Sequence, residues 1–339
     1  MERQKSEILS VVSLEIGYQR GKIRGSICPP LSASAADGEL IALIGRNGIG
    51  KSTLLRTITG LQPSFGGKIL LKGNSISTFS RMELARKIGF ISTELVRISN
   101  MRVVDLVALG RFPHTNWMGR IDSASEEAIN EAVSKTGISD LKYRYINELS
   151  DGERQRAMIA RVLAQDTDII VMDEPMAFLD IISKYEIINL MSDLTGEGKT
   201  IIFSTHDFNL AINNADKIWL MPGDKLIEGA PEDLMLRNEF DNMFKASIEG
   251  FNPADGSFNI RRKFYGNIFI QGDGLNREWT EKAVRRAGFE VSASKTDIFI
   301  KIPSDRNPVW TIYSNTESQH FVSLYEMIKN LRNLIRKIT

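Results

Sequence analysis

The segment GRNGIGKST at 45–53 constrains this chain more than any other stretch. It fits the pattern G-x-x-x-x-G-K-[ST], in which Gly45, Gly48 and Gly50 let the backbone curl until successive N–H groups converge on phosphate oxygens. Arg46, Asn47 and Ile49 fill the loop between the glycines, and Thr53 follows its exit, so 45–53 as a whole is the predicted phosphate cradle. Lys51 is placed to reach the β- and γ-phosphates, and Ser52 to set its hydroxyl on Mg²⁺. The flanks agree. ELIALIG (39–45) is an apolar run of strand type, and STLLRTITG (52–60) has helical spacing. That strand–loop–helix order aims a helix N-terminal dipole at the phosphates, so a nucleotide is the expected ligand.

A second part of a phosphoryl-transfer site lies in IIVMDEP (169–175). Four apolar residues end in Asp173 and Glu174, which sets both carboxylates at the C-terminal edge of a buried strand. Asp173 is expected to hold Mg²⁺, largely through water because that ion dehydrates reluctantly. Glu174 is positioned to polarise an attacking water, a role worth about 10²–10⁴ in rate. DIIVMDEP and TIIFSTHD (200–207) are near-continuous apolar runs, as expected of strands covered on both faces of a parallel sheet. A helix predicted at 181–195 separates them and makes a βαβ unit. Helical spacing also marks 101–112, 125–137 (stopped by Gly137) and 151–165.

LSDGERQR (149–156), then DE (173–174), then STHD (204–207), all downstream of the phosphate loop, form a highly specific order. Over roughly residues 8–245 the sequence resembles the nucleotide-binding subunit of ATP-binding-cassette (ABC) transporters. The resemblance implies an α/β P-loop NTPase cassette: a RecA-like core with an antiparallel β and a helical subdomain. It also implies ATP with Mg²⁺, and a homodimer whose cassettes face head-to-tail around two ATP molecules. Carried over by motif, Ser150, Asp151, Gly152 and Glu153 would face the ATP held by the partner chain, with Ser150 and Gly152 donating to its γ-phosphate. His206 would contact that phosphate in cis, Asp180 would sit on the dimer seam, and Tyr18 would stack on adenine.

Departures from the family pattern are informative. The family carries a glutamine after the strand corresponding to GFIS (89–92), where it senses Mg²⁺ and abuts the membrane subunit. Thr93 stands there, then Glu94. Thr93 still offers the metal an oxygen, with a reach shorter by two heavy-atom positions, and Glu94 is the substitute beside it. The signature reads LSDGE where LSGGQ is commoner, and Ala177 replaces the usual serine. These changes point to a slow or differently regulated ATPase, not a dead one, because Lys51, Asp173, Glu174 and His206 are all in place.

VALGRFPHTNWMGR (107–120) is similar to the LGRxPH segment of ATPases serving importers of iron–siderophore complexes, haem and cobalamin. A polytopic permease and, indirectly, a substrate-binding protein are the implied partners, at the cytoplasmic face of the cell membrane. The competing reading is a soluble cassette ATPase of the iron–sulfur assembly type; the GRFPH segment argues against it. Composition sets wider bounds. A net charge of +1 exerts no global pull toward nucleic acid, and no nucleic-acid partner is expected. The single cysteine, Cys28, rules out an intrachain disulfide and is expected to be a packed small residue. No run approaches 18 uninterrupted apolar residues, and MERQKSEILS lacks the apolar region of a signal peptide.

The turn-rich stretch 245–260 is the expected boundary between a cassette at 1–250 and an accessory α+β domain at 261–339, which the resemblance does not cover. The order expected there is β-α-β-β-β-α, with a last helix from about 317 to 336. Leu324, Met327, Ile328, Leu331, Leu334, Ile335 and Ile338 form its apolar stripe. A regulatory or dimer-stabilising role is the expectation from its place after a complete ATPase. Neither His114 nor His320 has a motif around it, and neither is read as a ligand.

Overall fold

The apolar runs become strands buried on both faces of one six-stranded sheet. In the computed structural model, the described residues are 6–20, 23–93, 100–115, 121–223, 225–244, 251–252, 257–258, 263–302, 309–314 and 317–336. Strand order across the sheet is Ile227–Gly229, Lys217–Met221, Leu40–Gly45, Thr200–Thr205, Ile169–Met172, Ile88–Ile91. All pairs are parallel except the first, which is antiparallel. Side chains alternate between two cores. Leu40, Ala42 and Ile44 enter one, with the helices Ser123–Lys135, Asp151–Ala164 and Ile181–Gly196; Ile41 and Leu43 enter the other, with the helix Lys51–Ile58. An antiparallel sheet closes that second core, ordered Leu31–Ala36, Glu7–Glu15, Gly66–Leu71, Asn74–Ser75. Cys28 is buried in the same core.

The topology gathers the chemistry at one edge. The phosphate loop leaves the C-terminal end of Leu40–Gly45, Asp173 follows Met172, and His206 follows Thr205, on three adjacent parallel strands. Ligands of open α/β sheets bind at that edge.

The stretch 101–112 is not one helix. Val103–Ala108 is α-helical, and Leu109–His114 tightens into 3₁₀ geometry around Pro113, whose missing N–H does not support a longer α-helix. Among the described residues, no helix is long and apolar enough to cross a membrane.

The chain divides into two compact units at 257/258. The stretch read as a boundary lies mostly outside the described residues, apart from the pairing of Phe251–Asn252 with Ser257–Phe258. In the second unit a five-stranded sheet runs in the order Phe289–Ser292, Gly266–Gln271, Ile298–Lys301, Trp310–Ser314, Glu317–Phe321. The helices Leu275–Ala287 and Leu324–Arg336 pack on it around Ile268, Ile270, Val284, Ile300, Met327 and Leu331. The last helix therefore starts later than expected, because ESQHF (317–321) pairs antiparallel with Trp310–Ser314. Ser323 Oγ accepts the N–H of Glu326 and marks the true start. The apolar stripe begins only at Leu324, which is what helical periodicity required. The side chains of Leu334 and Ile335, and all of Ile338, lie outside the described residues.

Candidate nucleotide-binding site

The phosphate loop needs its glycines for two different reasons. Gly48 (φ 78°) and Gly50 (φ 109°) occupy the left-handed region. A Cβ on Gly50 would also lie 3.1 Å from Ile27 Cγ2. Gly45 is a packing position, since a Cβ there would lie 3.0 Å from the Met221 carbonyl oxygen on the neighbouring strand. Gly50 caps the helix Lys51–Ile58 without a side-chain hydrogen bond. The first-turn amides therefore have no side-chain cap and remain available to an anion, as a phosphate site requires.

Lys51 is 5 % exposed and its Nζ donates to the Gly45 carbonyl at 2.9 Å. Burial pushes its pKa down, while the charges of Glu174 and then Asp173 pull it back up. Ser52 is half-buried one residue further along the helix. Tyr18 stands 60 % exposed beside the loop, tethered by a 2.7 Å hydrogen bond between its hydroxyl and Thr53 Oγ1. Its ring is therefore both fixed and accessible.

On the next two strands Asp173 is buried and Ser204 is fully buried. Ser204 Oγ donates to Asp173 Oδ1 at 2.7 Å and accepts the Glu174 N–H at 2.8 Å. Glu174 adopts φ 49°, unusual for a carboxylate side chain, and its Oε1 contacts His206 Nε2. Thr93 Oγ1 donates to the Asp173 main-chain carbonyl at 2.9 Å. Glu94 lies outside the described residues. A cavity of about 380 Å³ opens here, with Glu174, Ala177, Phe178, Lys184, His206 and Asp207 among its walls. The structure thus brings Lys51, Asp173, Glu174 and His206 to one place.

The signature residues share the N-terminus of the helix Asp151–Ala164, and Asp180 begins the helix Ile181–Gly196. Ser150 and Glu153 form a capping box: Glu153 N–H donates to Ser150 Oγ at 3.3 Å and Ser150 N–H to Glu153 Oε2 at 2.7 Å. The Ser150 N–H bond holds the Glu153 carboxyl below its ordinary value. Asp151 pairs with Arg154 at 2.7 Å. Asp180 caps the helix Ile181–Gly196 by accepting the Ser183 N–H (2.9 Å) and hydroxyl (3.0 Å), which depresses its pKa. Gly152 packs against that same serine, since a Cβ would lie 2.7 Å from Ser183 Oγ. Ser183 therefore joins the signature helix to the Asp180 turn. Sequence reading missed both Ser183 and Ser204. For Ser204 a signal existed, because STHD places it one strand position from the end of a run that neighbours Asp173.

LGRFPH (109–114) also proves to be a structural clamp. Arg111 is buried and donates to the Ala164 carbonyl at 2.8 Å, and His114 Nε2 contacts the Gln165 carbonyl at 2.9 Å. Both groups satisfy the C-terminal carbonyls of the signature helix, where a cation also complements the helix dipole. Gly110 permits the approach: a Cβ there would lie 1.9 Å from the Arg161 carbonyl oxygen. Gly110→Ala is expected to destabilise the protein by about 1–3 kcal/mol, read as a lower urea midpoint with an unchanged m-value.

The chain is similar to known proteins in sequence and fold. Residues 28–177 match the family described as ABC transporter. Petrobactin import ATP-binding protein FpuC of Bacillus anthracis is 37% identical over 223 residues, covering 65% of this chain and 82% of that protein. The chain belongs to the ABC transporter ATP-binding family. Ferric enterobactin transport ATP-binding protein FepC of Escherichia coli (strain K12) is 38% identical, covering 66% of this chain and 81% of that protein. Among solved structures, cbiO1 from Clostridium perfringens, part of the ABC transporter complex cbiONQ, superposes with a TM-score of 0.60 at 26% identity, covering 72% of this chain and 96% of that one. The cassette accordingly binds nucleotide and is an ATP hydrolase. Residues 265–332, in the second unit, match the family described as Iron ABC transporter C-terminal domain.

Proposed function

We propose that this cassette powers uptake of an iron complex, a siderophore or haem, or of cobalamin, as the ATPase of an importer on the cytoplasmic face of the cell membrane. The observation that carries the chemistry is the convergence of Lys51, Asp173, Glu174 and His206 at one sheet edge. The names of the relatives, ATP-binding proteins of petrobactin import and of ferric enterobactin transport, and the iron-type C-terminal match support the cargo class. In the working complex two copies face head-to-tail, so that Ser150 and Gly152 of one complete the γ-phosphate contacts of the other. Helix-terminus amides near Ser150 suit that task, and the hydroxyl proton of Ser150 is not consumed by its capping box.

Ser52 and Asp173 supply the oxygen ligands a hard cation prefers, and Mg²⁺ bound there would neutralise charge on the transferred phosphoryl group. Thr93 directs its hydroxyl proton at the Asp173 carbonyl, so it acts as a brace on that strand end and at most a lone-pair donor to the metal. Glu174 polarises the attacking water, His206 orients both Glu174 and the γ-phosphate, and Tyr18 stacks on the adenine ring. Residues 261–339 form the accessory domain, regulatory or dimer-stabilising.

A groove of about 530 Å³ fits the permease. Leu61, Leu84, Phe90, Leu109 and Met158 are among its walls, with Ser92 at the loop that abuts the membrane subunit in the family. Leu61 and Leu109 are 63% and 51% exposed and give the groove an apolar rim. Leu61→Asp combined with Leu109→Asp is expected to abolish copurification of a polytopic permease from detergent extracts of the native cell. The ATP-induced rise in melting temperature should persist in that variant. Recovery of soluble partners only, with the wild-type chain, would move the assignment to the iron–sulfur assembly class.

A further inference from the structure

We propose that Ser204 is a positioning residue for hydrolysis, whose side chain fixes the metal carboxylate and the general base relative to each other. The inference rests on the reading of Asp173 and Glu174 given above. Ser204 lies on the strand Thr200–Thr205, whose parallel register pairs Phe203 with Met172, so Ser204 stands beside Asp173. On its other side the same register pairs it with Leu43, two residues before the phosphate loop.

Its hydroxyl makes two bonds of opposite sense. The proton goes to Asp173 Oδ1 (2.7 Å), which pins the carboxylate rotamer and leaves Oδ2 for the site. A lone pair accepts the Glu174 N–H (2.8 Å), which holds a residue at φ 49° that its own side chain does not favour. Glu174 also reaches His206, two residues beyond Ser204 on the same chain segment. One buried hydroxyl therefore closes a ring through Asp173, Glu174 and His206. Without it, the buried Asp173 carboxylate and the Glu174 amide each lose a partner in a place that water does not reach freely, and the left-handed turn is released. Ser204 touches neither substrate nor reacting atoms in this scheme. It acts through Asp173 and Glu174.

The test uses the full chain and separates binding from turnover. Ser204→Ala is expected to lower kcat by about 10- to 100-fold, the worth of hydrogen bonds to a charged group. Its Kd for ATP without added metal, set by the phosphate loop, should stay within about twofold. Ser204→Thr and Ser204→Val have nearly the same shape, and only the first keeps the hydroxyl. Threonine should recover most of the rate and valine should not, at similar melting temperatures. Equal rates for threonine and valine, or a wild-type rate in Ser204→Ala, overturn the proposal. Should Ser204→Ala fold poorly, the threonine–valine pair still decides the matter. Glu174→Gln is assayed alongside. If that variant hydrolyses ATP normally, it is the assignment of the base that fails, and a hydroxyl-dependent rate would then show Ser204 acting through Asp173 alone.

Discussion

Glu174→Gln is expected to retain ATP, lose turnover by about 10²–10⁴, and accumulate a closed dimer. The substitution is isosteric, so the contact with His206 and the main-chain bond to Ser204 persist. What disappears is the negative charge that polarises water. ATP favours the closed state only through contacts made there, and hydrolysis is what removes them. A variant that closes without hydrolysing is therefore trapped. Phosphate release gives the rate, and light scattering after size exclusion with and without ATP gives the dimer. A wild-type rate would show that another group activates the water. Slow turnover without any ATP-dependent dimer would instead sink the head-to-tail arrangement.

Lys51→Met is expected to weaken ATP binding by about 10- to 100-fold, the loss of a charge-assisted phosphate contact, and yet to raise the melting temperature of the nucleotide-free protein. The second half follows from the direction of the Lys51 pKa, which burial lowers from 10.5 against the smaller opposing pull of Glu174 and Asp173. A lysine whose folded-state pKa lies below its unfolded value holds its proton less tightly when folded. Its charge therefore costs stability at every pH below the folded value, and that cost fades as pH rises from there toward 10.5. Methionine keeps the apolar stem and removes the charge. The stability gain over wild type should be full near neutral pH and should shrink in alkaline buffer. A fall in melting temperature would mean that the bond to the Gly45 carbonyl outweighs the desolvation. Lys51 is on this account a destabilising functional group, tolerated because nucleotide needs it.

Several parts of the molecule were legible in linear order because local chemistry alone requires them. Left-handed glycines at 48 and 50, a lysine after them, and two carboxylates ending a four-residue apolar strand can be read without any partner. The parallel sheet was legible for the same reason, since strands covered on both faces must be apolar at every position. Other features depend on residues far apart in sequence. Glu317–Phe321 has no strand periodicity of its own and became a strand because Trp310–Ser314 offered an edge to pair with. Gly110, Arg111 and His114 looked like a family marker, and only the approach of the signature helix showed them to be its C-terminal clamp. Ser183 carried no motif of its own, and Ser204 only its place in STHD. The Ser183 bond to Asp180 is a local helix cap, but the contacts of Ser204 with Asp173 and Glu174, and of Ser183 with Gly152, exist only where packing brings distant segments together. Sequence by itself determined which groups could handle a nucleotide, because their chemistry is local. Tertiary structure alone decided how those groups are oriented, because a hydrogen bond between buried side chains has no sequence spacing to betray it.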